Sequence, residues 1–482
     1  MKPVSAALLL LGLAGCAAGP DFKRPAPPAV GRYLPAVPVS AAAETSDAQH
    51  FLIGTPVPPD WWTAFGSPEL NSLVERAFRA NPTVGAAQAA LRRARESLAM
   101  QHGAYWPTIG ASADASRNRN AVAVLSPTLT SGSALFNLYT GTVDVSYVLD
   151  VFGAKRRATE SLAASADVAR WQLEATYLTV AGNVVTAAIQ VAGVDAQVAA
   201  TRHAVDIERV LLGILHRRFD LGAASGLDVA AQETALAQTE TTLPPLERQR
   251  EAARHLLAVL TGRLPSDADL TTLELTALAL PADVPVGVPS ELVTRRPDVR
   301  AAEANLHAAT AEVGVAVTSL LPQITLGAAL GTSTTAIQDL FRTYTKFWSA
   351  GATLSQTLFA GGANVHRVRA ARAALDGAGA NYRQAVLMAF QNVADALRAL
   401  ETDQAALAAG ERAAAAADRS LRIARRQVEL GGASQLELLN AEAAYTQTSA
   451  AVAAARTARY SDTAALYQAV AGPVPAQVPN DR

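Results

Sequence analysis

Cys16 is the single cysteine of the 482-residue chain, and its surroundings prescribe a reaction. It closes LAGC (Leu13 to Cys16), after a stretch that holds one basic residue, Lys2, and the apolar run Ala6 to Leu11. Such a segment is too short to span a bilayer and carries the small-residue cleavage site of an exported precursor. In a lipoprotein signal the cysteine at this place is the acylated nucleophile, and each buried CH₂ of an acyl chain contributes roughly 0.8 kcal/mol to anchoring. The plainer alternative is an ordinary signal peptide with a stray cysteine. Ala17 follows, and the absence of an aspartate there leans toward the outer membrane. A lone cysteine rules out intrachain disulfides in an oxidising compartment.

Other reactive residue types are present without a reactive spacing. The seven histidines, His50, His102, His203, His216, His255, His307 and His366, form no HExxH motif and no helical pair for a metal. There is no phosphate loop, and with Cys16 reserved for lipid no thiol nucleophile remains. The expectation is a chain that is not an enzyme, with no catalytic residues, no metal and no cofactor beyond a covalent lipid on Cys16. Forty-one basic against forty-two acidic residues give a net charge of −1, which implies no nucleic-acid partner.

The elements come in two copies. Pro82 and Pro297 are each followed 25 residues later by a second proline, Pro107 and Pro322, which opens a short alternating stretch. Leu149 to Gly153 (LDVFG) answers Leu358 to Gly362 (LFAGG), and Phe219 to Val229 (FDLGAASGLDV) answers Val428 to Leu438 (VELGGASQLEL), both at an offset of 209. The intervening 67 residues, Gly153 to Phe219 and Gly362 to Val428, lack proline and are rich in Ala, Leu, Glu, Arg and Gln. The chain is 50% hydrophobic but 5% aromatic, an alanine-driven balance that favours long, closely packed helices. At 1.5 Å per residue each long helix extends about 100 Å. Glycine turns at Gly222 and Gly431 end them, Ser225 and Ser434 cap the return helices over about 227–261 and 436–470, and 25-residue helices run from Pro82 to Trp106 and Pro297 to Leu321.

Four strands complete the pattern. Val143, Val145, Tyr147, Leu149 and Val151 alternate with Thr142, Asp144, Ser146 and Asp150, and Trp348, Ala350, Ala352, Leu354 and Leu358 do the same in the second copy. Their partners are the alternating runs Ile109 to Ala115 and Ile324 to Leu330, with polar loops at 116–139 and 331–346. After the signal no run of eighteen apolar residues occurs, so a membrane crossing requires strands, and about ten residues is the length of a tilted one. A soluble hairpin with one wet face reads the same way. In lipid four strands cannot close, so a barrel must be shared: two chains give eight strands with a filled interior, three give twelve with room for a conduit.

These residues carry a family resemblance. The lipobox followed by GPDFKRP (Gly19 to Pro25), DWWTAFGSPELNSLVERAFRANP (Asp60 to Pro82) and LVTRRPDVRAAEANL (Leu292 to Leu306) resemble the TolC family of outer-membrane efflux proteins, in its lipoprotein branch typified by OprM and the NodT-type proteins. The resemblance covers essentially the whole mature chain. It implies an α+β membrane protein with a tandem structural repeat, a long α-helical periplasmic barrel, and four transmembrane β-strands per chain in a shared trimeric twelve-stranded barrel. It also implies a homotrimer in the outer membrane of a Gram-negative bacterium, lipid-anchored with a large periplasmic portion, joined through a periplasmic adaptor to an inner-membrane transporter that supplies the energy. The chain is then a passive export duct for small toxic compounds. A duct for type I protein secretion is the alternative, and a lipid-anchored helical scaffold or adhesin is a rival of another class.

By the same resemblance RFDLGAASGLDV (Arg218 to Val229) and VELGGASQLELLNAEAAY (Val428 to Tyr445) are the periplasmic tips. Asp228 falls where relatives place an acidic residue that holds the tunnel closed, and Glu437 and Asn440 fall where some carry aspartates; Ala433 stands where some have arginine. Arg218, Asp228, Glu437 and Asn440 are thus candidate gate residues, and Gly222, Ser225, Gly431 and Ser434 candidate adaptor-contact turns. A ring of carboxylates on a narrow axis would favour cations, although Asp228 and Glu437 also suit a helix N-terminus. Arg295 and Arg296 read as structural ion pairs, Trp61 and Trp62 as packing residues, and Arg412 to Glu429 as a solvated face or an interprotomer surface. The expected organisation is a signal peptide at 1–15, a lipid-anchored segment at 16–66, repeat 1 at 67–265, a linker at 266–290, repeat 2 at 291–472 and a tail at 473–482.

Overall fold

The computed structural model describes residues 17–34, 49–119, 135–267 and 273–474. Cys16 lies outside them, as does most of the 473–482 tail. The elements follow one another in two similar sets. Repeat 1 runs α1 (Pro68–Ala80), α2 (Pro82–Gly103), β2 (Thr108–Arg119), β3 (Leu135–Leu149), α3 (Ala154–Asp220) and α4 (Gly226–Leu260); β1 (His50–Ile53) precedes it. Then come β4 (Asp283–Val286), α5 (Pro289–Arg295), α6 (Pro297–Thr318), β5 (Gln323–Thr334), β6 (Lys346–Ser355), α7 (Ala363–Glu429) and α8 (Gln435–Val470). Both long helices, α3 and α7, have 67 residues.

Several boundaries differ from the sequence expectation for local reasons. Helices α2 and α6 stop at Gly103 and Thr318, short of Trp106 and Leu321, because a residue before proline is driven out of the helical region. The last three residues of each stretch instead make three-residue turn bonds, Trp106 N–H to Gly103 and Leu321 N–H to Thr318 among them. Strand β3 begins at Leu135, not Val143, since pairing with β2 continues to Arg119↔Leu135 and carries the ladder into polar sequence; residues 116–119 and 135–139 are therefore strand, not loop. Strand β6 ends at Ser355, where its partner β5 begins at Gln323, so Gln356 to Leu358 have no ladder. Helix α4 runs straight through Pro244 and Pro245, at the loss of two backbone donors.

The chain folds as two compact units, and each repeat contributes to both. The first comprises residues up to Arg24, Arg92–Val168 and Ala302–Asn381, and holds the four-stranded antiparallel sheet in the order β2-β3-β5-β6. Its register aligns rows of like polarity. Ala111, Val143, Leu330 and Trp348 form one row, and Ile109, Val145, Ala328 and Ala350 another two residues along. Asp144 and Ser349 occupy the row between, on the opposite face.

The second unit comprises Pro25–Leu91, Ala169–Ala301 and the chain from Tyr382 onward. The 266–290 stretch, expected as a linker, contributes β4, which pairs in parallel with β1 from His50↔Asp283 to Ile53↔Val286. Trp61 and Trp62 pack as expected: Trp61 is buried and stacks on Tyr467 at 5.7 Å, and Trp62 meets the edge of Phe78 at 5.5 Å. Buried Arg296 pairs with Asp298 at 2.8 Å and donates to the Ala469 carbonyl at 2.9 Å, while Arg295 lies 3.9 Å from Glu291. Among the described residues α3 is the one helix long and apolar enough to cross a membrane, and 78% of its most apolar stretch is buried within the protein.

Candidate functional site

The two long helices end in the same way. Gly222 (φ +72°) and Gly431 (φ +75°) lie in the left-handed region, where an L side chain is strained. Ala223 N–H donates to Arg218 at 2.7 Å and Gly222 N–H to Phe219 at 2.8 Å; Gly432 N–H donates to Gln427 at 2.8 Å and Gly431 N–H to Val428 at 3.2 Å. This double closure is the Schellman motif, which satisfies carbonyls the helix end leaves free.

Each return helix opens with a capping box. The Ser225 backbone N–H and hydroxyl donate to Asp228 Oδ2 at 3.0 and 2.7 Å, and Asp228 N–H donates back to the Ser225 hydroxyl at 3.2 Å. Ser434 and Glu437 repeat this at 2.6, 3.0 and 3.3 Å. The Ser225 hydroxyl and then its backbone N–H hold the Asp228 carboxyl below the usual carboxylate range, and the Ser434 backbone N–H and then its hydroxyl do the same for Glu437.

Within one chain each candidate gate carboxylate is therefore engaged by its own helix start. Among the described residues no ion pair joins Arg218 to Asp228 or Glu437. Arg218 contributes its carbonyl to the turn, and Asn440 is exposed three residues beyond Glu437 on α8. Behind the second tip Leu421, Ala424, Leu438 and Ala441 form a small core with Leu211, Val428 and Tyr445 against it. Four leucines at matching places in the two repeats, Leu221, Leu227, Leu430 and Leu436, are exposed on the tips.

A second constellation follows the expected lipidation site. The segment from Ala17 to Arg24 is strapped onto the first unit by Ala18 N–H to Phe152 O at 3.0 Å, by buried Arg157, which binds Asp21 at 2.6 Å and the Ala18 carbonyl at 3.1 Å, and by Arg24 to Glu303 at 3.0 Å. Phe22 stacks on His307 at 4.3 Å, and His307 meets Glu160 at 2.9 Å. Burial works against the Glu160 charge, but hydrogen bonds from Arg157 and His307 outweigh it and hold the carboxyl below its ordinary value. Gly153 and Gly314 make room: a Cβ at Gly153 would lie 2.8 Å from Ala17 Cα, and one at Gly314 2.7 Å from Ala18 O. Sequence reasoning missed Arg157, His307 and both glycines, and the one available signal was the LDVFG word that contains Gly153.

Residues 73–263 and 288–472 match the model of a family described as outer membrane efflux protein. The pyoverdine export outer membrane protein OpmQ of Pseudomonas aeruginosa is 29% identical over 98% of this chain and 97% of its own length. Nodulation protein T of Rhizobium leguminosarum bv. trifolii is 26% identical over 92% and 91%. The solved outer-membrane channel OprN superposes with a TM-score of 0.85 at 28% identity, covering 95% of this chain and all of that one.

Proposed function

Because the chain belongs to the outer membrane efflux protein family, we propose that three copies close one twelve-stranded barrel and that the assembly is the passive exit duct of a tripartite pump. The observation that carries this reading is the four-stranded sheet, which among the described residues is open, with β2 and β6 at its edges. An open edge cannot face lipid, and three sheets of four close a barrel wide enough for a conduit whereas two do not.

In this reading acyl chains on Cys16 anchor the protein in the outer membrane, and the strap fixes that anchor to the first unit. Asp228, Glu437, Asn440 and Arg218 border the periplasmic entrance, where three copies of each carboxylate would attract cations. Gly222, Ser225, Gly431 and Ser434, with the four exposed leucines, offer the contact surface for a periplasmic adaptor, which links the duct to an inner-membrane transporter. Small molecules are the cargo, in keeping with a relative named for pyoverdine export.

Deletion of the gene in its host tests the reading, with susceptibility to antibiotics, dyes, detergents and aromatic acids measured beside the profile of secreted proteins. Hypersensitivity with a normal secretome is expected. A missing exoprotein with normal susceptibility would replace small-molecule efflux with type I protein secretion.

A further inference from the structure

Behind the tips, in the second unit, two glutamates are buried where helices α3, α4, α7 and α8 meet. Glu442 of α8 is 4% exposed and Glu208 of α3 is 6% exposed. Both line a cavity of about 70 Å³ whose other walls include Ala204, Leu421, Arg425 and Tyr445. Arg425 of α7 approaches Glu442 at 3.7 Å, too long for a hydrogen bond, and neither Glu442 oxygen has a protein hydrogen-bond partner. Glu208 Oε1 accepts from the Thr239 hydroxyl of α4 at 2.9 Å, while Oε2 has no protein partner. Three other ionisable groups lie nearby: His203 of α3 and Tyr445 of α8 line the cavity, His203 being exposed, and Glu240 of α4 is paired with Arg209 at 2.7 Å.

Two buried carboxylates against one guanidinium leave the cluster one negative charge in excess. Water is not excluded by volume, but an unpaired charge in such a place is costly, and taking up one cation removes it. We propose that the cavity is a proton-binding site shared by Glu442 and Glu208, whose occupancy links the packing of α7 and α8 on α3 to the pH around the helices.

The electrostatics run the same way. Burial pushes the Glu442 carboxyl up to about 7, with the Arg425 charge opposing and the Glu208 charge reinforcing, and burial likewise raises Glu208. A carboxyl with its pKa raised in the packed state holds a proton there that separated helices would release. The packing is favoured fully below the ordinary glutamate range, and the advantage is lost as pH rises through about 7. The site needs nothing from the conduit reading, since it concerns contacts within one chain.

The test uses the full-length protein in detergent or nanodiscs. Infrared difference spectra are expected to show a protonated-carboxyl band that titrates near neutral pH and is lost in Glu442→Gln. Amide exchange over 421–425 and 438–445, corrected for intrinsic rates, should quicken at least tenfold more between about pH 5 and pH 8 in the wild type than in the variant. Thr239→Val, which withdraws the hydrogen bond to ionised Glu208, should move the wild-type midpoint upward; an unmoved midpoint would mean that Glu208 does not share the proton. A band that titrates in the ordinary carboxylate range, or survives Glu442→Gln, overturns the proposal. So does protection that responds to Na⁺ or K⁺ at fixed pH, because the ligand would then be a metal cation.

Discussion

Ser225 and Ser434 show how much a single hydroxyl can set at a helix start. Ser434→Ala removes the acceptor for the Glu437 N–H and is expected to cost about 1 kcal/mol, seen as faster amide exchange over 435–437, with Ser434→Asn close to wild type. Ser225→Ala should do the same to α4. The two carboxylates of the capping boxes are lowered in pKa, so their contribution is complete above the ordinary carboxylate range and fades as pH falls through the lowered values. The buried Glu442 site has the opposite dependence, so acid weakens the caps while it tightens the packing behind them. The caps were legible because the signal is a local word, S-x-x-D or S-x-x-E before a helix. Glu442 was not, since AEAAY reads as any helix surface and its burial depends on Arg425 of the preceding helix and on Glu208, which lies more than two hundred positions away in the chain.

Between elements, glycine sets how closely helices approach. A Cβ placed on Gly193 of α3 would lie 2.2 Å from Thr457 Oγ1 and 2.9 Å from Thr457 Cβ of α8, so side-chain rotation alone cannot relieve it. Gly193→Ala is expected to destabilise the helix pair by about 1–3 kcal/mol, and Thr457→Ala, mild alone, to restore part of it. Thermal denaturation of both single variants and the double variant measures that coupling, and independent effects would mean the helices are not held at this distance. Helix existence and length were legible from proline spacing and the duplicated glycine turns. Strand ends were less so: β6 stops at Ser355, where its partner β5 begins at Gln323, and not where its own alternation fails. The β1-β4 pair was invisible: four residues carry no period, Pro285 argues against a strand, and the partners are more than two hundred positions apart.

For the molecule as a whole, the alternation across the sheet separates two faces, which in the barrel proposed above meet lipid and lumen. Val145 shares its row with Ile109, Ala328 and Ala350, whereas Ser146 shares one with Thr108, Gly327 and Gly351. Val145→Arg is expected to cost about 2–4 kcal/mol of barrel stability and to lower the amount of folded trimer recovered from outer membranes, while Ser146→Arg assembles normally. Equal losses from both would overturn the assignment of faces. The tandem repeat and the four strands were legible in one sequence, because duplication writes the same spacing twice; the strap was not, because its contacts depend on two glycines chosen for what they leave out. The matched 67-residue lengths of α3 and α7 carry a consequence for how such a chain can change. Deleting one residue from either helix rotates every later position by about 100° and pulls the far tip back by about 1.5 Å, so the duplicate tips fall out of step. An exposed side chain on these helices can be exchanged without shifting its neighbours, whereas a change of length in one copy has to be matched in the other to keep the two tips level.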